Sequence, residues 1–328
     1  MAAPVRSTLL ATAGVLALVL PAAALAGNGG FAPVEPESPN AEGITQSWWF
    51  VTAFILFIFV LVEGLLIAFV LRYRRRKRPR DADGAQIHGS TRLELIWTAA
   101  PVFILAAIGT FVFVKLPGIV DVPKASAGNR LDVRVIGRQF YWQFEYPNGV
   151  IAIDRLRAPV GRDVRLLVTA PDFDVIHSWW IPALGGKIDA IPGVENETWF
   201  RAKRVGIFQG RCAELCGVKH ARMLNEAEVM PAAEFDRWLD ERREQQSFAP
   251  TELGEELWQG VCAKCHGPDG QGGYGPAIAD SSLLEDPRAI ELLLRNGRGQ
   301  MPAVGRGWSG REMEAMTDYL EERFGSGN

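Results

Sequence analysis

The sequence predicts a multi-domain membrane protein, in which a two-helix transmembrane hairpin precedes an antiparallel β sandwich and an all-α domain. Two long apolar runs in the first third of the 328 residues predict the hairpin. From Arg130 onward apolar residues recur at every second position, which is typical of half-buried strands. After Thr251 the apolar spacing becomes that of helices. The net charge of −3 gives no indication of nucleic-acid binding.

Residues 1–26 have the pattern of a secretory signal peptide. An arginine supplies a short positive start, an apolar run follows over 9–20, and residues 24–26 fit an A-x-A cleavage site. Pro21 ends the apolar run early, which disfavours the alternative of a further membrane helix. The next stretch, 27–47, is rich in Pro, Gly, Asn and Glu and predicts an extended N-terminal segment.

The two apolar runs, 48–71 and 93–116, predict a transmembrane hairpin over 48–116. At 1.5 Å per residue each run forms a helix of about 36 Å, enough to cross a hydrocarbon core of ~30 Å. The loop between them, 72–92, opens with RYRRRKRPR, and such positive loops stay in the cytoplasm. The rest of the chain is therefore expected in the periplasm, anchored in the inner (cytoplasmic) membrane of a bacterium.

The outer part of the chain divides into two further domains. Alternating apolar residues, beginning at Leu131, predict a β domain over 125–240. A highly charged segment then leads into a linker at 241–250. Helical spacing predicts the last domain over 251–328.

The string CAELCGVKHARM at 212–223 places thiols, an imidazole and a thioether in one short stretch, and these ligands together select copper over hard cations. A second imidazole is needed, and His177, at the end of an apolar strand, is the candidate. Two cysteine sulfurs can bridge two copper ions with one histidine on each, which suits electron transfer. The copper candidates are His177, Cys212, Cys216, His220 and Met223.

Two alternatives fit the C-x-x-x-C spacing as well. The cysteines could form a disulfide in an oxidising compartment, or they could be the redox-active thiol pair of a copper-delivery protein. His220 and Met223 downstream, together with His177 upstream, favour the copper site over both.

A second motif, C-x-x-C-H at 262–266, is the sequence of covalent haem attachment. Its two cysteines would form thioethers with the haem, and His266 would be the proximal iron ligand. The adjacent histidine favours haem over zinc or a thioredoxin-like site. Met301, in a Met-Pro pair, is the candidate sixth ligand, whereas Met313 and Met316 have the spacing of residues that pack on one helix face. The haem candidates are Cys262, Cys265, His266 and Met301.

Several segments resemble the cytochrome c oxidase subunit II family. They are HSWWIPALGGKIDAIPG at 177–193, the string at 212–223, ELIWTAAP at 94–101 and the aromatic run GRQFYWQFEYPNG at 137–149. The resemblance covers about residues 45–240. The last domain is similar to a class I cytochrome c.

The resemblance implies a cupredoxin-like β domain that holds a dinuclear copper A centre. It implies as copper ligands His177, Cys212, the backbone carbonyl of Glu214, Cys216, His220 and Met223. It also implies that the Glu214 side chain reaches a magnesium ion at the interface with subunit I. Glu94 falls on the family position for proton uptake, at the mouth of the K pathway.

The aromatic run departs from the family at one position. Phe140 stands where the family usually has the tryptophan through which electrons arrive from a separate cytochrome c, while Tyr141 and Trp142 are retained. We hypothesise that electrons arrive instead from the attached haem domain.

The resemblance therefore implies subunit II of a caa-type haem–copper terminal oxidase, in which electrons pass from haem c through copper A to subunit I. Oxygen is reduced to water there with proton translocation, so this chain holds no catalytic residue for that step. The expected partners are subunits I and III and a soluble or membrane-bound electron donor. The rival classes are a copper chaperone, which would have no haem, and a quinol oxidase subunit, which would lack the ligands.

Overall fold

The computed structural model describes residues 30, 32–74, 84, 86–124, 130–248, 250–279 and 281–325. The predicted signal peptide lies outside these residues. The chain forms two compact units. One contains Glu42–Ile119, and the other combines Val34–Ala41 with the chain from Val120 onward.

The first unit is a helical hairpin, as predicted. Helix α1 spans Pro39–Tyr73 and helix α2 spans Thr91–Val120, and both are long and apolar enough to cross a membrane. Their side chains meet where the rings of Phe50 and Phe111 stack, with centroids 4.0 Å apart. Most of the other large apolar side chains of the hairpin are exposed, which is the surface expected of helices that face lipid or another subunit.

The prediction of an extended segment over 27–47 is wrong for residues 39–47, because α1 already begins at Pro39. Proline is favoured in the first turn of a helix, where its missing N–H costs nothing. Tertiary contacts hold this start in place. The Asn40 side chain donates a 2.5 Å hydrogen bond to the carbonyl of Trp199, and the N–H of Glu37 donates to the carbonyl of Ala183 at 2.8 Å.

The described residues of the β domain, from Arg130 onward, form ten strands in three sheets. They are β1 (Arg130–Arg138), β2 (Tyr141–Glu145), β3 (Ile151–Ile153), β4 (Arg155–Pro159), β5 (Asp163–Thr169), β6 (His177–Trp179), β7 (Ile188–Ala190), β8 (Asn196–Phe200), β9 (Gly206–Arg211) and β10 (Leu224–Met230). The sheet orders are β3-β2-β1-β5-β8, β4-β10-β9 and β6-β7. This is the cupredoxin-like β domain that the sequence predicts.

The predicted alternation is confirmed, but the sheets are not wholly antiparallel. Leu131, Val133 and Val135 of β1 are all buried. However, β1 pairs with β5, and β4 with β10, in parallel. Side-chain alternation has a period of two in either direction, so it predicts strands without predicting how they pair.

The C-terminal region is helical, as predicted. It comprises α3 (Ala232–Phe248), α4 (Pro250–Leu257), a π-helical turn (Trp258–Cys262), α5 (Ala263–His266), a 3₁₀ turn (Ser282–Glu285), α6 (Pro287–Asn296) and α7 (Gly310–Phe324). The predicted linker at 241–250 is helical as far as Phe248. The side chain of Gln246 within it is buried and makes hydrogen bonds to both the N–H and the carbonyl of Ile151.

Local sequence signals explain where the later helices begin. The Asp286 carboxylate accepts hydrogen bonds from two N–H groups in the first turn of α6. Ser309 and Glu312 form a capping box at the start of α7. Met313 and Met316 on α7 are buried in the domain core, which confirms that they pack on one helix face.

Candidate copper and haem sites

The copper loop, residues 212–223, connects the antiparallel strands β9 and β10. The Cys212 N–H donates to the Met223 carbonyl at 2.9 Å, so the ladder of the two strands continues into the loop. The Ala213 N–H donates to the carbonyl of Ser178 at 2.9 Å. This last bond fastens the loop to β6, the strand that carries His177.

Four sulfur and nitrogen groups of the loop meet in its interior. The Sγ of Cys216 lies 3.9 Å from the Sγ of Cys212, 3.7 Å from the Nδ1 of His220 and 3.7 Å from the Sδ of Met223. The ligand atoms of His177, Cys212 and Cys216 lie within 4.8 Å of one another. The structure therefore brings together all five side chains predicted to bind copper.

The orientation of His177 suits a metal ligand. The side chain is 0% exposed. Its Nε2 lies 3.2 Å from the Oδ1 of Asp174, whereas its Nδ1 is buried and has no hydrogen-bond partner among the described residues. A carboxylate on one ring nitrogen holds the proton there and leaves the other nitrogen with a free lone pair. Nδ1 is therefore the atom available to a metal.

The pKa values of the two cysteines are shifted in opposite directions. The hydrogen bond that the two cysteine side chains share lowers the pKa of Cys212 well below its usual range. The same bond, together with burial, raises the pKa of Cys216. For His177, burial opposes protonation, but the hydrogen bond to Asp174 and the negative charge of the nearby Cys212 raise its pKa overall. The direction of these shifts favours the thiolate form of Cys212 over that of Cys216, and thiolate is the form that binds a metal.

The donor set fits a pair of soft metal ions better than a disulfide. Both cysteines are free, and their 3.9 Å separation is far longer than an S–S bond of about 2.05 Å. A metal bound at the thiolate distance of about 2.3 Å to each sulfur fits between them. The carbonyl of Glu214 also points into the site, 3.2 Å from the Sγ of Cys212, while the Glu214 side chain is exposed.

The haem-attachment motif, residues 262–266, comprises the last residue of the π-helical segment and the whole of α5. Cys262 is buried, and burial raises the pKa of its thiol to about 12, whereas Cys265 is half-buried. His266 Nδ1 lies 2.7 Å from the carbonyl of Pro276. Since a carbonyl only accepts, Nδ1 carries the proton and Nε2 is left free as an axial ligand.

The close packing of a loop against the His266 imidazole also fits the role of a haem ligand. A Cβ at Gly275 would lie 2.8 Å from the Cε1 of His266, so the loop approaches the imidazole too closely for a larger residue. Met301 is half-buried and packs against the domain core. Met313 and Met316 are occupied in that core. Met301 as the sixth ligand stays a prediction.

The aromatic run lies between the two sites. Trp142 belongs to the core of the β domain, and its ring centroid is 6.1 Å from that of His177. Tyr141 belongs instead to the core of the C-terminal domain. Phe140 is half-buried, and its ring would contact any Cβ placed at Gly217 in the copper loop.

Glu94 lies in the first turn of α2, in the hairpin unit, with an exposed side chain. Its backbone carbonyl accepts a 2.9 Å hydrogen bond from Thr98. Its role in proton uptake stays a prediction.

Sequence reasoning missed three polar residues at these sites: Asp174, Lys219 and Lys264. Asp174 positions His177, and its place three residues earlier in the chain was a usable signal. Lys219 precedes His220, and Lys264 lies inside C-x-x-C-H. The contacts of Lys219 and Lys264 join the β domain to the C-terminal domain, and no spacing in the sequence predicts contacts between separate domains.

Three family profiles match the chain. They are cytochrome c oxidase subunit II, transmembrane domain, over residues 30–114; cytochrome c oxidase subunit II, periplasmic domain, over 149–229; and cytochrome c oxidase, cbb3-type, subunit III, over 249–320. Fold and site thus define a membrane-anchored cupredoxin-like subunit joined to a cytochrome c-type domain.

Curated relatives lead to the family. Cytochrome c oxidase subunit 2 of Alkalihalophilus pseudofirmus is 33% identical over 313 residues, which cover 88% of this chain and 89% of the relative. The subunit 2 of Cereibacter sphaeroides is 32% identical, covering 62% and 79%. This chain belongs to the cytochrome c oxidase subunit II family. A solved structure, the periplasmic domain of subunit II from Bradyrhizobium japonicum, is 36% identical over 38% of this chain and 98% of that chain, with a TM-score of 0.35.

Membership implies a copper A centre in the β domain and a haem c in the C-terminal domain. It also implies that the chain is a membrane-anchored part of a haem–copper oxidase, with subunit I as a partner. The residues at both sites fit these groups, since buried sulfur and imidazole donors converge at one and a free imidazole nitrogen accompanies two cysteines at the other.

Proposed function

We propose that this chain is the electron-transfer subunit of a caa-type oxidase, which conducts electrons from haem c through copper A to subunit I, where oxygen is reduced to water with proton translocation. One observation carries the proposal. His177, distant in sequence from the copper loop, lies with Cys212 and Cys216 inside a 4.8 Å cluster. A lone thiol pair would not need a buried imidazole with one nitrogen left unpaired.

Each residue of the copper site has a separate part in this proposal. Cys212 and Cys216 would hold the two metal ions through their sulfurs, and His177 and His220 would each supply an imidazole nitrogen. Met223 and the carbonyl of Glu214 would complete the set as weak ligands. The buried position of Met223 supports its role, because a thioether in a dry site tunes the redox potential of copper.

Cys262 and Cys265 would attach haem to the C-terminal domain, and His266 and Met301 would be the ligands of its iron. The hydrogen bond from His266 Nδ1 to Pro276 supports this role, because it orients the ring and makes the other nitrogen a better ligand. Bound haem supplies a one-electron carrier beside the β domain.

Electrons arrive at the copper site by way of Phe140, Tyr141 and Trp142, from the attached domain. The position of Trp142 near His177, and of Tyr141 in the core of the C-terminal domain, supports this direction. A separate cytochrome c or a membrane-bound donor then reduces the attached haem.

The remaining roles follow from the family resemblance. Glu94 takes up protons at the cytoplasmic side of the hairpin, and the exposed Glu214 side chain reaches a magnesium ion shared with subunit I. Subunit III completes the complex. The hairpin lies in the inner membrane of a bacterium, with the loop 72–92 in the cytoplasm and the β and C-terminal domains, 125–240 and 251–328, in the periplasm.

Metal analysis with optical and paramagnetic resonance spectra of the purified complex tests the proposal. We expect one low-spin haem c and a mixed-valence copper pair in this subunit. The H177A variant should lose the pair signal and keep the haem spectrum. Mononuclear copper in the native subunit, or no copper, would overturn the proposal.

A further inference from the structure

Two lysines cross the boundary between the β domain and the C-terminal domain in opposite directions. Lys219 lies in the copper loop, immediately before His220. Lys264 lies in the haem-attachment motif, immediately before Cys265. Lys219 reaches the haem-attachment motif, whereas Lys264 reaches Asp154 and the aromatic run of the β domain. Neither lysine belongs to the ligand sets proposed above.

Lys264 extends into the β domain. Its ammonium forms an ion pair with the Oδ2 of Asp154 and donates a 3.1 Å hydrogen bond to the carbonyl of Phe140. The other carboxylate oxygen of Asp154 accepts from the N–H of Trp142 at 2.9 Å. Lys264 therefore contacts the aromatic run directly at Phe140 and indirectly, through Asp154, at Trp142.

Lys219 extends in the other direction. Its Nζ lies 2.9 Å from the Sγ of Cys265, 3.4 Å from the carbonyl of Lys264 and 4.1 Å from the ring centroid of Tyr274. All three partners belong to the C-terminal domain. Lys219 is only 8% exposed, and an ammonium is costly to bury unless polar groups surround it.

These contacts place the two motifs directly against each other. The side chain of Lys219, which precedes His220 in sequence, contacts Cys265, which would carry the haem. A second link runs from Lys264 to the carbonyl of Phe140, and the preceding residue, Gln139, donates a 2.7 Å hydrogen bond to the carbonyl of Cys216. Each of these two links crosses the boundary between the β domain and the C-terminal domain through only a few non-covalent contacts.

We propose that Lys219 and Lys264 form a reciprocal clamp that positions the haem-attachment motif against the copper loop. The inference rests on the proposed function and deepens it, because it names the residues that make electron transfer an internal step. The clamp also covers the Asp154 carboxylate and the Phe140 carbonyl, so the attached domain occupies this surface and a separate donor does not. Both lysines are positioning residues.

The test uses the intact oxidase complex carrying K219Q, K264Q or both. After rapid reduction of the haem, we expect internal electron transfer to copper to be at least about tenfold slower in the double variant, since hydrogen bonds to charged groups are the strong ones at such a boundary. Both centres should keep their spectra and reduction potentials. The K264R variant, which retains the positive charge, should have most of the native rate of internal electron transfer that K264Q loses.

Hydrogen exchange supplies a readout that does not depend on turnover. In the double variant, amides at 139–142 and 263–267 should exchange faster than in the native complex, while those of β5 and α7 should not change. K187Q is the matched control, because Lys187 is a β-domain lysine that is 48% exposed and pairs with Asp189. It should alter neither the rate nor the exchange.

The outcomes separate the two proposals. A native complex without haem c or without a copper pair overturns the proposed function itself. Normal spectra combined with native transfer rates and native exchange in K219Q/K264Q overturn the clamp alone. Slower transfer with shifted potentials also overturns it, because the lysines would then act on the centres rather than on their placement.

Discussion

The phenol oxygen of Tyr141 accepts a 2.8 Å hydrogen bond from the indole N–H of Trp308, and both side chains are buried. Tyr141 begins β2, whereas Trp308 lies just before α7 in the C-terminal domain. The next residue, Trp142, points to the other face of the strand and approaches His177. Two successive residues of one strand therefore face the core of the C-terminal domain and the copper site.

Removing this hydrogen bond should loosen the boundary between the domains. In Y141F the indole N–H of Trp308 remains buried without a partner, which costs about 1–3 kcal/mol. We expect the opening free energy of the β2 amides, measured by hydrogen exchange on the complex, to fall by that amount. The double variant Y141F/W308F removes both partners and should lose less than the two single variants added together. Strict additivity would contradict an energetic role for the bond.

Asp174 should control copper binding through His177. In D174A nothing holds the proton on Nε2, so both tautomers become accessible and the affinity for copper should fall about 10–100-fold. Competition against a copper chelator in the purified complex measures this loss. D172N is the control, because Asp172 is exposed and two residues away. Equal copper retention in D174A and the native subunit would rule out the positioning role.

Met223 should tune the copper centre without supporting the fold. Replacement by leucine nearly conserves volume and costs under about 1.5 kcal/mol of stability. We expect M223L to shift the reduction potential and the resonance spectrum of the copper centre, because the thioether 3.7 Å from the Sγ of Cys216 is lost. M230L alters a buried methionine on β10 and should leave both unchanged.

Met301 should determine the spin state of the haem. In M301L the iron would lack its sixth ligand, so the optical spectrum should change from low spin to high spin and the haem should bind carbon monoxide. M316L changes a buried core methionine instead and should keep the low-spin spectrum. A low-spin spectrum in M301L, with loss of it in M316L, would transfer the ligand role to α7.

Much of the candidate site could be read from sequence because its chemistry is local. Four copper candidates lie within the loop 212–223, and haem attachment needs only C-x-x-C-H. Membrane spans follow from apolar length, and the starts of α6 and α7 follow from Asp286 and Ser309, whose side chains bond to N–H groups a few residues away. Contacts of this range leave a regular spacing in the chain.

Tertiary structure decided what depends on distant contacts. It brought His177 to the copper loop, chose Nδ1 as its free nitrogen through Asp174, and set strand directions that alternation does not encode. It started α1 at Pro39, because Asn40 binds the β domain there. It also brought the side chains of Lys219 and Lys264 into contact with the opposite domain. The chemical type of a ligand is a property of a single residue, so it can be read from the sequence. The proximity of the ligands, the tautomer of His177 and the contact between the domains arise only when separate segments pack together.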